Sequence, residues 1–230
     1  MSTIADNIFH VGSRIQAAIQ AAGRAEDSVR LLAVSKTKPA QALRDAYAAG
    51  LRDFGENYLQ EALGKQQELA DLPLIWHFIG PIQSNKTRSI AEHFAWVHSV
   101  DRLKIAQRLS EQRPADLPPL NICIQVNVSG EASKSGCAPA DLPALAQAIS
   151  QLPRLKLRGL MAIPEPTEDR DAQDAAFAAV QRLQASLDLP LDTLSMGMSH
   201  DLESAIAQGA TWVRIGTALF GARDYGHISQ

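Results

Sequence analysis

The chain has 230 residues, of which 46% are hydrophobic and 20% are charged, and its formal net charge is −3. This composition is typical of a globular protein, and the small negative charge gives no electrostatic case for nucleic acid or a membrane as partner. No apolar stretch approaches the roughly 20 residues of a membrane span, and the first residues predict no signal peptide. Because the spacing of Cys123 and Cys137 suggests no disulfide, we expect a cytoplasmic protein.

The chain begins with an amphipathic helix, and short apolar runs then alternate with helical patterns. The helix is indicated by apolar residues at steps of three and four, namely Ile4, Ile8, Val11, Ile15 and Ile19. The predicted strands are Val29–Val34, Leu51–Phe54, Leu74–Ile79, Trp96–His98, Asn121–Val128, Lys156–Ala162, Thr193–Met196 and Trp212–Ile215. The helices predicted between them are Ala40–Ala49, Glu56–Ala70, Ser84–His93, Asp101–Gln112, Ala140–Gln151, Asp169–Leu187 and Leu202–Gln208.

Eight strands that alternate with helices predict an α/β fold, a single (β/α)8 TIM barrel, because doubly wound sheets usually have five or six strands. We expect residues 1–230 to form this one domain, with the extra N-terminal helix covering the bottom or side of the barrel. In such barrels the chemistry lies at the C-terminal ends of the strands. The residues that follow each strand are therefore the candidates for a site.

Lys36 follows the first predicted strand directly, within Ser35-Lys36-Thr37. This position directs its side chain into the mouth of the barrel. A lysine near apolar walls and other cations becomes a neutral amine that attacks aldehydes. Most loop lysines are simply solvated, so the position alone does not decide between the two interpretations.

The ends of the seventh and eighth strands predict a phosphate site. Barrel loops after these strands often hold a phosphate, because backbone amides and a helix N-terminus converge there. The hydroxyls of Ser199 and Thr217 can donate to phosphate oxygens, and Gly216 lets the backbone approach an anion closely. Alternatively, Ser199 caps a helix and Gly216 only turns the chain. Together with Lys36, which lies next to them where the barrel closes, these residues predict a phosphorylated aldehyde as cofactor.

Several motifs resemble those of the pyridoxal-phosphate homeostasis protein family. They occur in the family's order and extend from Val29 to Tyr225, which is nearly the whole chain. The motifs are Ala33-Val-Ser-Lys36-Thr-Lys38, Phe54-Gly-Glu-Asn57-Tyr58, Trp76-His-Phe-Ile-Gly80-Pro-Ile-Gln83-Ser-Asn85-Lys86, Arg158-Gly-Leu-Met161, Gly197-Met-Ser199 and Arg214-Ile-Gly-Thr-Ala-Leu-Phe-Gly221.

The resemblance implies a barrel like the N-terminal domain of alanine racemase, with pyridoxal 5′-phosphate bound as an internal aldimine. By position in the motifs, Lys36 is the lysine that forms the Schiff base. Ser199, Gly216 and Thr217 match the phosphate-binding positions of the family.

The resemblance also implies that Arg214 faces the pyridine nitrogen of the cofactor and that Asn57 lies near its ring. Arginine stays charged and only donates, so it disfavours protonation of that nitrogen and leaves the ring a poorer electron sink. Alanine racemases carry a further β-domain that supplies a catalytic tyrosine, and we expect no counterpart of that tyrosine here. Of the three tyrosines in the chain, Tyr47 is expected to pack in a helix, while Tyr58 and Tyr225 could approach the mouth. We therefore predict a carrier and regulator of intracellular pyridoxal phosphate with little or no catalytic activity.

Two other functions remain open from the sequence. One is a weakly active cofactor-dependent enzyme, such as an amino-acid racemase or decarboxylase. The other is a class I aldolase, which also forms a Schiff base but places its lysine on a later strand and needs no cofactor cradle. The expected partners are pyridoxal phosphate, other B6 vitamers and pyridoxal-phosphate-dependent apo-enzymes, and we expect a monomer.

Further polar residues lie near the ends of the central strands. His77 and His98 could reach the mouth, although a core position is expected for His77, and neither has the spacing of a metal ligand, so we predict no metal. Lys134, in the loop after the fifth strand, is either a second acceptor for the cofactor or a solvated lysine. The roles of the Gln83–Asn85 loop and of Lys86 are left open.

Overall fold

The computed structural model describes residues 1–130 and 135–222. Its eight strands form one closed parallel barrel, in which each strand pairs with the next in the chain and the first pairs with the last. This confirms the predicted (β/α)8 architecture. The strands are β1 Arg30–Val34, β2 Asp53–Glu56, β3 Ile75–Phe78, β4 Trp96–Val100, β5 Leu120–Gln125, β6 Leu155–Met161, β7 Thr193–Ser195 and β8 Trp212–Ile215.

Helices follow the strands around the outside of the barrel. The α-helices of the described ranges are α1 Ile4–Ala21, α2 Ala40–Ala48, α3 Leu59–Glu68, α4 Thr87–His93, α5 Leu103–Gln112, α6 Leu142–Ser150, α7 Arg170–Ala185, α8 Leu202–Ala207 and α9 Thr217–Phe220. Short 3-10 helices, Ser84–Lys86 and Pro139–Asp141, precede α4 and α6. Among these helices none is both long and apolar enough to cross a membrane.

The N-terminal helix α1 packs against the side of the barrel, beside α2, α8 and α9. Thr3 and Asp6 form a capping box at its start, which satisfies two backbone N–H groups that have no partner within the helix. Its predicted apolar face is buried through Val11, Ile15 and Ile19. The side of the barrel, one of the two predicted positions, is thus the one observed.

The alternation of side chains along the strands separates two cores. Ala33 on β1 packs outward in the large cluster between the strands and the helices. Leu32 points inward and joins a smaller cluster inside the barrel with Trp96, Trp212 and two further residues. Because alternate residues share a face of a strand, Arg214 lies on the same inner face as Trp212, one step nearer the mouth.

The second strand lies two residues later than predicted, at Asp53–Glu56 instead of Leu51–Phe54. Gly55 and Glu56 pair with His77 and Phe78 of β3, so Glu56 does not begin a helix as predicted. From the local sequence pattern, Glu56 was expected at the start of a helix, whereas in the barrel its side chain is completely buried. The strand β4 is longer than predicted, and α9 was not predicted.

Candidate functional site

The loop after β1 presents Lys36 to the mouth of the barrel, between the buried Ser35 and the exposed Thr37. The Ser35 N–H donates to the Gly55 carbonyl at 3.0 Å, and its hydroxyl donates to Glu56 Oε1 at 2.8 Å. Thr37 has a φ of 64°, a left-handed conformation that is unusual for a β-branched residue and costs about 1–3 kcal/mol. The surrounding contacts must therefore hold the loop in this shape.

A buried ionic cluster behind the loop supplies these contacts. The ammonium of Lys65 donates to the Ser35 carbonyl, to Glu56 Oε1 and to Glu61 Oε1, each at 2.7 Å, which accounts for all three of its protons. Glu61 also accepts from the Thr37 N–H at 2.6 Å. Burial raises the pKa of Glu56, and the charge of Lys65 opposes that rise. The backbone on both sides of the candidate lysine is thus held by side chains of β2 and α3.

The loop between β7 and α8 carries Ser199. Its carbonyl accepts from Arg14 Nη2 of α1 at 2.8 Å, and Arg14 also binds Glu203 through two hydrogen bonds at 2.8 and 3.0 Å. Gly197 has a φ of 100°, and a Cβ there would lie 2.6 Å from the Cβ of Ala205, so no larger side chain fits this turn. The N-terminal helix and a tight glycine turn therefore fix the position of Ser199.

The short helix α9 begins at Thr217, immediately after Gly216, at the end of β8. Its first backbone N–H groups have no partner within the helix and are available to an anion. Asn7 of α1 donates from its side chain to the carbonyl of Leu219 at 2.8 Å, which ties this helix to the N-terminal helix as well. Both segments of the predicted phosphate site thus rest on α1.

Arg214 is buried on the inner face of β8. Its guanidinium donates from Nη1 to Ser195 Oγ at 2.8 Å and from Nη2 to the carbonyl of Ala162 at 3.0 Å. Burial lowers the pKa of Arg214 to about 10, so the group remains a cation at neutral pH. A charged donor in a fixed orientation is thus placed at the floor of the mouth.

The six residues predicted for the site line one cavity of about 250 Å³ at the barrel mouth, and they are Lys36, Asn57, Ser199, Arg214, Gly216 and Thr217. Lys38 and His200 also line the cavity and were not predicted, although Lys38 lies inside a quoted motif and His200 directly follows another. Apolar walls are provided by residues such as Ile79 and Ile163. Among the described lining residues there is no carboxylate, so the cavity favours an anionic ligand with an apolar part.

The two barrel histidines do not reach the mouth but bond to each other inside the barrel. His77 Nδ1 and His98 Nε2 are 2.9 Å apart, while His77 Nε2 contacts Asp53 at 2.8 Å and His98 Nδ1 contacts Ser195 Oγ at 2.8 Å. Burial lowers the pKa of His77 and lowers that of His98 well below its ordinary value, with the charge of Arg214 adding to the second effect. The core position predicted for His77 is confirmed.

We expect the protein to lose stability as the pH falls below about 6.5, the ordinary pKa of histidine. Because both buried histidines have lowered pKa values in the folded protein, the unfolded chain binds more protons there, and the free energy of unfolding falls with the pH. Each histidine contributes at most about 1.4 kcal/mol per pH unit, between its pKa in the unfolded chain and its lower pKa in the folded protein. Urea unfolding at a series of pH values measures the slope.

The matched variants are His98→Gln, which should reduce the slope, and His93→Gln at an exposed histidine, which should leave it unchanged. A wild-type stability that stays constant from about pH 7 to about pH 5 would contradict this expectation.

Several other predicted residues lie away from the cavity or outside the described ranges. Lys134 and Tyr225 fall on residues 131–134 and 223–230, which the structure does not describe. The Gln83–Asn85 segment and Lys86 lie at the 3-10 helix before α4 and do not line the cavity. Tyr47 stacks on the guanidinium of a neighbouring arginine at 3.9 Å, as packing predicts. In residues 1–130 and 135–222, no group of three side chains is arranged to hold a metal.

Comparison with known proteins agrees with the resemblance seen in the motifs. A family model described as the N-terminal domain of alanine racemase matches residues 12–224. A pyridoxal phosphate homeostasis protein of Pseudomonas aeruginosa is 79% identical over 226 residues, which cover 98% of each chain. The protein of the same name from Escherichia coli K12 is 55% identical over 231 residues, covering 98% of this chain and 99% of that protein.

The similar solved structures include a protein with pyridoxal phosphate bound and alanine racemases. The protein PipY of Synechococcus elongatus, determined with pyridoxal phosphate bound, is 43% identical with a TM-score of 0.84, over 95% of this chain and 100% of that chain. An alanine racemase of Clostridium difficile in complex with cycloserine has a TM-score of 0.72 at 12% identity, over 95% of this chain and 60% of that chain. The racemase likeness concerns the fold alone.

Proposed function

This chain belongs to the alanine racemase N-terminal domain family and, within it, to the pyridoxal phosphate homeostasis proteins, and from that premise we propose that it binds pyridoxal 5′-phosphate. The cofactor would be held as a Schiff base on Lys36 at the mouth of the barrel. One observation carries the proposal, namely that Lys36, Ser199, Thr217 and Arg214 line a single cavity.

The residues of the cavity fit this cofactor in charge and in polarity. Lys38 and Arg214 add positive charge to a cavity that would hold a phosphate dianion, and the described lining residues include no carboxylate that would repel it. The side-chain oxygen of Asn57 is buried and has no hydrogen-bond partner within the described residues. A buried polar atom without a partner is costly, so its presence at the cavity supports a ligand that supplies one.

Each residue has a distinct part in the proposed complex. The cofactor supplies an aldehyde carbon to which amines add reversibly with loss of one water. Lys36 provides the amine, while Ser199, Thr217 and the amides at the start of α9 donate to the phosphate oxygens. Arg214 donates toward the ring nitrogen, and its own proton is retained because guanidinium is a far weaker acid than pyridinium.

We propose further that the chain carries the cofactor and has little or no catalytic activity of its own. A donor-only arginine, held in place by Ser195 and Ala162, leaves the ring nitrogen unprotonated, so carbanions on a bound amino acid gain little stabilisation. A weakly active racemase or decarboxylase is the alternative. An aldolase is not favoured, because class I aldolases place the Schiff-base lysine on a later strand, whereas Lys36 follows β1.

The same geometry predicts the relative affinities of the expected B6 ligands. Pyridoxamine phosphate keeps the phosphate contacts but has no aldehyde for Lys36, whereas pyridoxal has the aldehyde but lacks the phosphate, so both should bind more weakly. Apo-enzymes that use pyridoxal phosphate are the proposed recipients. We also propose a monomer in a reducing cytoplasm, a setting that suits the free thiols of Cys123 and Cys137.

The carrier function is tested by adding single amino acids to the cofactor-loaded protein and following absorbance and product together. We expect the amine to displace Lys36 and release the cofactor, with racemisation or decarboxylation at least about 100-fold slower than in a dedicated enzyme assayed in parallel. Turnover at rates similar to that enzyme would establish the alternative function instead.

A further inference from the structure

A continuous chain of hydrogen bonds runs inside the barrel from the floor of the cavity toward the opposite end. It joins Arg214, Ser195, His98, His77 and Asp53 through contacts of 2.8, 2.8, 2.9 and 2.8 Å, and we call it the interior chain. All five residues are buried. None of the last three lines the cavity, so the cofactor site proposed above gives them no direct contact with the ligand.

The far end of the interior chain is an ion pair near the solvent. Asp53 Oδ2 lies 3.2 Å from Arg30 Nη2, and the side chain of Arg30 is 55% exposed. The guanidinium of Arg30 stacks on the ring of Trp212 at 4.3 Å, which holds it over this end of the barrel. The interior chain therefore begins at a carboxylate fixed by one arginine and ends at another arginine in the cavity.

The two ends dictate the direction of every bond between them. The Asp53 carboxylate only accepts, so His77 donates to it from Nε2. The two histidines have lowered pKa values and are neutral, so His77 Nδ1 accepts from His98 Nε2, and His98 Nδ1 in turn accepts from the Ser195 hydroxyl. Ser195 Oγ is thereby left as an acceptor for Arg214, and no other arrangement satisfies all four contacts.

Aromatic walls isolate the interior chain from water. The ring of His77 is stacked on Trp96 at 5.5 Å between centroids and meets the edge of Trp212 at 5.0 Å. In such surroundings hydrogen bonds are stronger and polarise one another, whereas a bond lost leaves a costly unpaired group. A change in hydrogen bonding at one end of the interior chain should therefore alter the hydrogen bonding at its other end.

We propose that Asp53, His77, His98 and Ser195 are positioning residues that fix the orientation and hydrogen bonding of Arg214 beneath the cofactor ring. The inference rests on the proposed function for the identity of the ligand above Arg214. The coupling between the two ends of the interior chain does not depend on the ligand, so it is measurable in the cofactor-free protein.

The decisive variant is Asp53→Asn. Arg30 only donates, so the new amide turns its oxygen toward Arg30 and its NH2 group toward His77 Nε2, which must then accept. His77 then donates from Nδ1 to His98 Nε2, and His98 donates from Nδ1 to Ser195. An isosteric change at the far end should thus reverse the tautomers of both histidines.

Nitrogen-15 NMR of the histidine and arginine side chains in the cofactor-free protein tests this reversal. We expect His98 to exchange its Nε2–H tautomer for the Nδ1–H tautomer in Asp53→Asn and the side-chain resonances of Arg214 to shift. Met161 belongs to the small apolar cluster inside the barrel, with Trp96 and Trp212, but not to the interior chain. Met161→Ala therefore serves as the control for lost packing and should leave the tautomers unchanged. A change at His77 alone, with His98 and Arg214 as in the wild type, would overturn the proposal.

A second measurement uses the protein with cofactor bound. Its Ser195→Ala variant keeps the proposal testable if Asp53→Asn fails to fold. Ser195→Ala removes the acceptor of Arg214 directly, and Arg214→Ala marks the largest change expected. We expect the midpoint of the pH titration of cofactor absorbance to shift by about half a pH unit in Ser195→Ala and in Asp53→Asn, because both variants act on the cofactor only through Arg214 and perturb its pKa less than a group in direct contact would. A wild-type titration in Ser195→Ala, with cofactor bound, would overturn the positioning role but leave the proposed function intact. A wild type that takes up no cofactor would instead refute the proposed function, and the NMR result would still decide the coupling.

Discussion

Replacing Lys36 with alanine is expected to abolish covalent retention of pyridoxal phosphate. Lys36 follows β1 into the cavity, and its amine is the group that the proposal assigns to the aldehyde. Borohydride reduction converts a lysine-linked Schiff base into a stable secondary amine. Peptide mass spectrometry of the reduced wild type should therefore locate the cofactor on Lys36, and the same treatment of Lys36→Ala should leave no adduct above background.

Lys38→Ala is the matched control, because Lys38 lines the same cavity and donates from its amine to the carbonyl of Ala222 at 2.7 Å. This variant loses one positive charge near the phosphate but keeps the reactive lysine, so the adduct on Lys36 should persist. An adduct that maps to Lys38 in the wild type, or that survives in Lys36→Ala at the wild-type level, would show that the reactive amine is misassigned.

The double variant Ser199→Ala with Thr217→Ala is expected to weaken binding of pyridoxal phosphate by roughly 100-fold. A hydrogen bond to a charged group contributes about 1.5–3 kcal/mol, so the loss of both hydroxyl donors should cost about 3 kcal/mol in binding free energy. The backbone amides before and within α9 remain, which limits the loss. Titration of the cofactor-free protein, followed by absorbance at equilibrium, measures the dissociation constant.

Pyridoxal provides the internal control for this prediction, because it carries the aldehyde without the phosphate. Its weaker affinity should be the same in the double variant and in the wild type, so that only the phosphate contribution disappears. Ser129→Ala removes a hydroxyl that accepts from the Glu165 N–H on the opposite rim and should change neither affinity. Equal loss of affinity for both vitamers would mean that the two hydroxyls support the fold rather than the phosphate.

The predicted site residues share one cavity, because strand order in a parallel barrel places the ends of β1, β7 and β8 side by side. Position at the strand ends therefore singled out Lys36, Ser199, Gly216 and Thr217 as candidates, and the family resemblance added Arg214 and Asn57. The sequence did not locate the short helix α9, since four residues are too few to leave a periodic pattern. The roles of these residues toward a cofactor stay predictions until the variants above are measured.

The sequence by itself determined the barrel, the face of each helix and strand that is buried, and the loops that meet at the mouth. Periodicity and strand ends are local properties, so they can be recognised without the tertiary structure. Only the tertiary structure decided what supports the mouth residues. Lys65 holds the loop of Lys36 from 30 positions away, and His98 meets Ser195 across 97 positions. Such contacts depend on where closure of the barrel brings buried polar groups together, and each of those groups must find its partner because water is excluded.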